Sequence, residues 1–390
     1  MHGTADGFNS QYASSLVTVV SMSTTKLMVA MEDSVLAFES SKTGWKKVYE
    51  SLKGTHPQCI TFDPNKPNRA YCGTFGGGLW KTDDGGQSWD SIGKERMSSS
   101  DVMSVSVSSL ERGKNNNGFN TVYVGTEPSA FYRSDDGGES WDKMGSLNNL
   151  SSSSSWSFPP RPSTSHVRWI ESDKTKAGYV YAAIEAGALV QSHDGGRTWI
   201  DRVEGGPHDT HTLATHKKMP GWLYSAAGDG YFESYDYGQT WKRLVTGLDD
   251  YDYLFSLAVD SGDPQTVIVS ASQWPYKAYS LEDSESLVYR RRRRRTSSLS
   301  SHVDDADDSN SSNDDIEWKL SSNGLPKPTG TLISVLAANP RIAGSFYAVN
   351  NRGIFYSTDS GISWKMLDDI QWPKKYLSQH PWALAVREDT

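Results

Sequence analysis

The chain has almost no cysteine: two thiols, Cys59 and Cys72, in 390 residues. That excludes a small fold stapled by disulfides and fits a reducing compartment. The two flank the turn at residues 63–68 almost symmetrically, an arrangement that predicts packed thiols facing each other across a hairpin. Long apolar runs are missing as well. Nothing approaches the roughly 18 consecutive apolar residues that span a bilayer. Positive charge is not in excess, with Lys+Arg at 39 against Asp+Glu at 47 and a net charge of −8, which argues against a general nucleic-acid surface. Residues 1–15 lack a basic segment followed by an apolar one, so no secretory signal is read and a cytoplasmic monomer is expected. Without export, the sequons at Asn149 and Asn310 carry little meaning.

What is present is tryptophan (14), tyrosine (19) and a repeat. The pattern S/T-x-D-x-G-x-S/T-W occurs five times, at 82–89, 134–141, 192–199, 234–241 and 357–364. Its physics is that of a hairpin turn. The carboxylates of Asp84, Asp136, Asp194, Asp236 and Asp359 accept turn N–H groups, and glycine supplies a backbone conformation costly for other residues. The Trp then caps an apolar layer between neighbouring sheets. These aspartates are therefore read as structural.

Two β-rich runs precede each turn. In one unit, residues 58–62 lead through a turn to 69–72, then 78–81 enters the repeat and 89–92 leaves it. That makes four short strands, A to D, the unit of a propeller blade. Residues 35–48 form a degenerate first copy, and 287–290 with 317–320 form strands C and D of a sixth. Tryptophans 45, 89, 141, 199, 241, 318 and 364 mark seven blades. The expected fold is all-β: one seven-bladed β-propeller over 1–390, with four-stranded antiparallel blades and the Asp turns between strands C and D. Residues 382–386 resemble strand A at 255–259 and are expected to supply the inner strand of the first blade, displacing or adding to residues 17–20. Residues 290–316 start with six arginines, pass through serines and end in aspartates, so a disordered insertion is predicted there. Its basic half is read as neutralised by its acidic half. The competing reading is a basic patch for import or anionic partners, or a kinase target at Ser297 and Ser298.

Propeller topology sorts the loops. A–B and C–D turns emerge on one face, B–C and D–A connections on the other. The second face collects Trp156, Arg161 and His166 before blade four, then His208, Asp209 and His211 before blade five. Its B–C loops add Glu127, Glu185, Asp229, Trp274, Tyr276, Asn351 and Arg352. Aromatics, histidines and carboxylates converging on one mouth are the composition of a polar small-molecule or glycan site. A metal held by His208, His211 and His216 together is excluded. Five strand residues cover about 17 Å at about 3.3 Å each, putting His216 on the opposite face. His166, His208 and His211 can still meet a carboxylate; no metal and no cofactor are expected.

The repeat is that of the BNR, or Asp-box, family. Beyond it, residues 156–161, 165–169, 208–216 and 350–353 resemble single-domain bacterial and archaeal propellers of the WD40/YVTN/BNR-like kind, often labelled sialidase-like or glycosyl hydrolase. Against true sialidases the match is poor. The Arg-Ile-Pro motif is missing, and only Arg161 and Arg352 fall plainly on ligand-face loops where that family uses three arginines. The chain is too short for the two-propeller xyloglucanases; the photosystem II assembly factor is similar in blade count and works as a protein scaffold. The resemblance therefore implies a recognition propeller, binding a small glycan-like ligand or a protein partner at the mouth of blades three to seven. The alternative is a hydrolase or lyase acting on a sugar-like substrate, with Glu185 or Asp229 as base and His211 or His166 assisting.

Overall fold

The computed structural model describes residues 23–113, 118–145, 147–292 and 316–389. They form seven antiparallel sheets set in a ring, a seven-bladed β-propeller. Six sheets have four strands. The fourth blade has three, Val167–Ser172, Val180–Ile184 and Ala188–Ser192, and its outer edge shrinks to a single bridge between Gln191 and Ile200. The inner strands Pro57–Phe62, Asp101–Arg112, Val167–Ser172, Thr210–His216, Tyr253–Val259, Val335–Ala338 and Pro381–Asp389 stand side by side around the channel.

The ring closes by exchange of chain ends. Pro381–Asp389 pairs antiparallel with Thr24–Met31, Leu27 opposite Val386, and so forms the inner strand of the blade completed by Val35–Ser41 and Gly44–Ser51. No edge is left free at the seam, where another chain could pair. Residues 17–20 lie outside the described part.

Each marker tryptophan seals its blade to the preceding one. Trp199 meets Phe131 edge-on at 4.8 Å, Trp318 meets Tyr231 at 4.8 Å, and Trp45 meets Tyr347 of blade seven at 5.9 Å. Trp89, Trp141, Trp241 and Trp364 sit in the apolar clusters at the other interfaces. Alternate blade faces are thus buried against neighbours all round the ring, and the strands read as nearly continuous apolar runs.

Two expectations change. Cys59 lies opposite Gly73 and Cys72 opposite Ile60, so the thiols sit one step out of register and point to opposite faces of the sheet. Both are free, and burial pushes Cys59 up to about 12. The arginine run is also partly structural. Arg290 and Arg291 continue the strand Leu287–Arg292, and Arg291 is fully buried in an ion pair with Glu233, stacked between Tyr231 and Trp318. Residues 293–295 of the run, Ser297, Ser298 and the acidic tract lie outside the described residues. No helix among the described residues is long and apolar enough to cross a membrane.

Candidate ligand pocket at the channel mouth

One structural device repeats at the mouth. Six inner strands carry a β-bulge at the same level, where register shifts leave one residue without a partner: Gln58, Met103, Arg168, His211, Phe255 and Trp382. A bulge re-aims its extra side chain. Five of these six line a cavity of about 710 Å³, and His211 stands beside it. The cavity opens on the face of the B–C and D–A loops, with Phe75, Phe158, Tyr253 and Tyr279 adding aromatic wall. The Asp turns lie on the opposite face. In all five the carboxylate accepts from the amide and hydroxyl four residues on; Ser88 N–H lies 2.9 Å from Asp84 Oδ1 and the Ser88 hydroxyl 2.6 Å from Oδ2.

The polar side of the cavity is a linked set of charges. His166 is buried, its Nε2 2.7 Å from Glu185 Oε2 and its Nδ1 3.4 Å from Glu127 Oε2. Arg161 forks onto Glu127, Nε donating to Oε1 at 2.7 Å and Nη2 to Oε2 at 2.6 Å, with its guanidinium over Phe158 and Phe75. Arg168 Nε lies 3.4 Å from Glu185 Oε2, its guanidinium over Phe255. Asp209 accepts the Ala186 N–H at 2.7 Å. His211 Nε2 stands 3.7 Å from Glu185 Oε1 and 3.6 Å from Asp209 Oδ2.

Burial works against charge on both glutamates, yet their partners win. The His166 hydrogen bond and the neighbouring His211 and Arg168 hold Glu185 down to about 2. Arg161 and His166 do the same for Glu127, also to about 2. Burial likewise lowers His166, but its bonds to Glu127 and Glu185 outweigh that and raise it above its ordinary value. Glu185, His166 and Glu127 thus stand in a row, the imidazole between two carboxylates that favour its charged form.

The structure brings together Glu185, His166, His211, Asp209, Glu127 and Arg161 of the residues singled out from sequence. The others stand apart. Asp229 accepts the backbone N–H groups of His208 and Asp209 and so braces the approach to blade five. The His208 side chain is exposed and outside the cavity lining. Trp156 is buried in the core of blade four, its indole N–H donating to Ser152. Trp274 and Tyr276 are exposed, while their neighbours Pro275 and Tyr279 line the wall. Asn351 and Arg352 anchor to the Gly330 carbonyl and are not in the lining. The lining also extends to blades one and two, through Glu32, His56 and Phe75. Sequence reasoning passed over Arg168, Phe158, Phe255 and Trp382 as site residues. The alignment of residues 382–386 with 255–259 already puts Trp382 level with Phe255, a signal that the two share one level of the channel.

Fold and site together define a seven-bladed β-propeller with a charged, aromatic-walled pocket at one mouth. No protein-family model matches the chain, and no curated protein matches it. Solved structures do. An ancestral GH74 enzyme superposes with a TM-score of 0.55 at 17% identity, over 77% of this chain and 36% of that one. This chain therefore spans little more than a third of that enzyme's length. YCF48 from Cyanidioschyzon merolae gives a TM-score of 0.52 at 14% identity, over 83% of this chain and 88% of its own. YCF48 bound to D1 peptide gives 0.50 at 17% identity, over 81% and 83%. At such identities the likeness is one of fold.

Proposed function

We propose that this is a recognition propeller of the BNR, or Asp-box, kind whose mouth binds a small sugar-like ligand carrying an acidic group. Arg168 carries the reading. Its side chain is buried at the floor of the aromatic-walled cavity, with a 3.4 Å ion pair to Glu185 and no hydrogen bond to its guanidinium from the described residues. A guanidinium that lines the cavity with a single 3.4 Å ion pair has donors to spare, and a ligand carboxylate matches them. Arg161, in contrast, already has its fork filled by Glu127. Aromatic faces beside polar donors suit a sugar ring, and a cavity of about 710 Å³ suits a mono- or disaccharide.

Binding is favoured over glycoside hydrolysis by the state of the carboxylates. Hydrolysis needs one carboxyl kept protonated near neutrality. Glu127 and Glu185 are both held at about 2, the opposite direction, and a carboxylate of that pKa is also a weak general base. Thermal-shift and calorimetric titration against glucuronate, N-acetylneuraminate and neutral glucose tests the reading, with Arg168→Met beside the unaltered chain. A ligand at 100 times its Kd stabilises by about 2.7 kcal/mol. The acids are expected to bind, glucose to bind more weakly, and Arg168→Met to lose the preference. Equal binding of acid and neutral sugar, or binding of neither, would sink the proposal. In the latter case a protein partner, as for YCF48 with its peptide, becomes the reading to pursue.

A further inference from the structure

We infer that Glu185, Asp209 and His211 form a site for a divalent transition-metal ion at the edge of the mouth. Each comes from a different segment: the B–C loop of blade four, the D–A connection, and the bulge of the blade-five inner strand. One donor atom from each lies within 4.8 Å of the other two.

The second observation is His211 itself. It is 1% exposed, and its Nδ1 lies 2.6 Å from the Leu254 carbonyl oxygen. A carbonyl only accepts, so Nδ1 carries a proton, and in the neutral ring Nε2 presents a lone pair. That Nε2 is buried and has no hydrogen-bond partner. It faces Glu185 Oε1 at 3.7 Å and Asp209 Oδ2 at 3.6 Å, beyond hydrogen-bond range. Around an ion with bonds of about 2.0–2.1 Å, tetrahedral donors stand about 3.3–3.4 Å apart. The two spacings from His211 Nε2 need to contract by only a few tenths of an ångström, and the two carboxylate oxygens stand within 4.8 Å of each other.

The outward atoms of the same side chains are already engaged. Glu185 Oε2 takes His166 at 2.7 Å and Arg168 at 3.4 Å, and Asp209 Oδ1 takes the Ala186 amide at 2.7 Å. His166 and Arg168 thus sit on the far oxygen of Glu185 and leave Oε1 turned toward His211. Partners of this kind orient metal ligands. One imidazole with two carboxylates suits zinc, cobalt, manganese or ferrous iron better than calcium or magnesium. Three protein donors also leave a coordination position facing the cavity.

This inference stands independently of the sugar-acid reading. The test uses the full chain, stripped with EDTA and desalted, then titrated with Co²⁺ and Zn²⁺ while visible absorption, melting temperature and retained metal are followed. About one ion per chain and a higher melting temperature are expected. Glu185→Gln and Asp209→Asn should each weaken binding at least about tenfold. Should either variant fail to fold, the unaltered chain still reports: the ¹⁵N resonance of His211 Nε2 must move on adding Zn²⁺. The metal-stripped chain should still bind glucuronate as the metal-loaded chain does, which separates the two proposals. Retention of less than about a tenth of an equivalent, a His211 Nε2 resonance that does not move, or binding unaltered in both folded variants overturns the site. A protonated His211 Nε2 in metal-treated protein would instead make the cluster an imidazolium bridge between two carboxylates, and would equally overturn it.

Discussion

Two faces of the ring hold carboxylates well below their ordinary range, and they do it differently. On the turn face Asp359 is buried enough to be pushed up, but the Ser363 hydroxyl and amide and the Ser357 hydroxyl hold it at about 2. Every one of those donors lies within four residues. On the mouth face Glu185 reaches the same value through His166, nineteen residues away, and Glu127 through Arg161, thirty-four away. A locally satisfied carboxylate is self-contained and serves the fold. One satisfied across blades is only as fixed as the blades are, and its surroundings keep unused capacity: the guanidinium of Arg168 and the lone nitrogen of His211.

The largest test of this contrast is to remove one carboxylate from the mouth. Glu185→Ala leaves the buried His166 and Arg168 without their shared anion, and breaking a buried pair costs about 3–5 kcal/mol. Urea unfolding should show that loss in midpoint. A loss under about 1 kcal/mol would mean that solvent already compensates the cluster.

A smaller effect is expected on the turn face. Asp136→Ala removes acceptors from Ser134 and Ser140 in a solvent-facing turn, and about 1–2 kcal/mol should go, with sugar-acid and metal binding intact. Altered ligand binding in that variant would break the division between faces.

The smallest effect is in pH. Stability from Glu127, Glu185 and Asp359 is present in full above their unfolded pKa of about 4 and is lost as pH falls through about 2. His166 runs the other way. Its raised value contributes stability that is complete below an unfolded pKa of about 6.5 and fades as pH rises through the higher folded value. In Glu127→Gln the His166 titration followed by NMR should move down toward the ordinary value. An unmoved His166 would show that Glu185 alone sets it.

Much of this was legible before folding. The period of the repeat, the seven tryptophans and the match of residues 382–386 to 255–259 carry blade count and ring closure, because each is a local pattern repeated. The turn aspartates were legible because their donors stand at fixed short spacing. Glu185 and His211 were reachable by sorting loops onto faces. Arg168 was not, since nothing at residues 167–169 marks a bulge, and the bulge decides which side chain enters the channel. For Trp156 and Asn351, composition gave the face but could not tell packed from open.

The sequence by itself determined a ring of seven blades and the chemistry of its turns, because both rest on contacts between near neighbours in the chain. Only the tertiary structure decided that Arg291 is core rather than patch, that the thiols look away from each other, and that Glu185, Asp209 and His211 share one corner of the mouth. Those outcomes depend on strand register and on how neighbouring blades meet, and neither is encoded at any single short spacing.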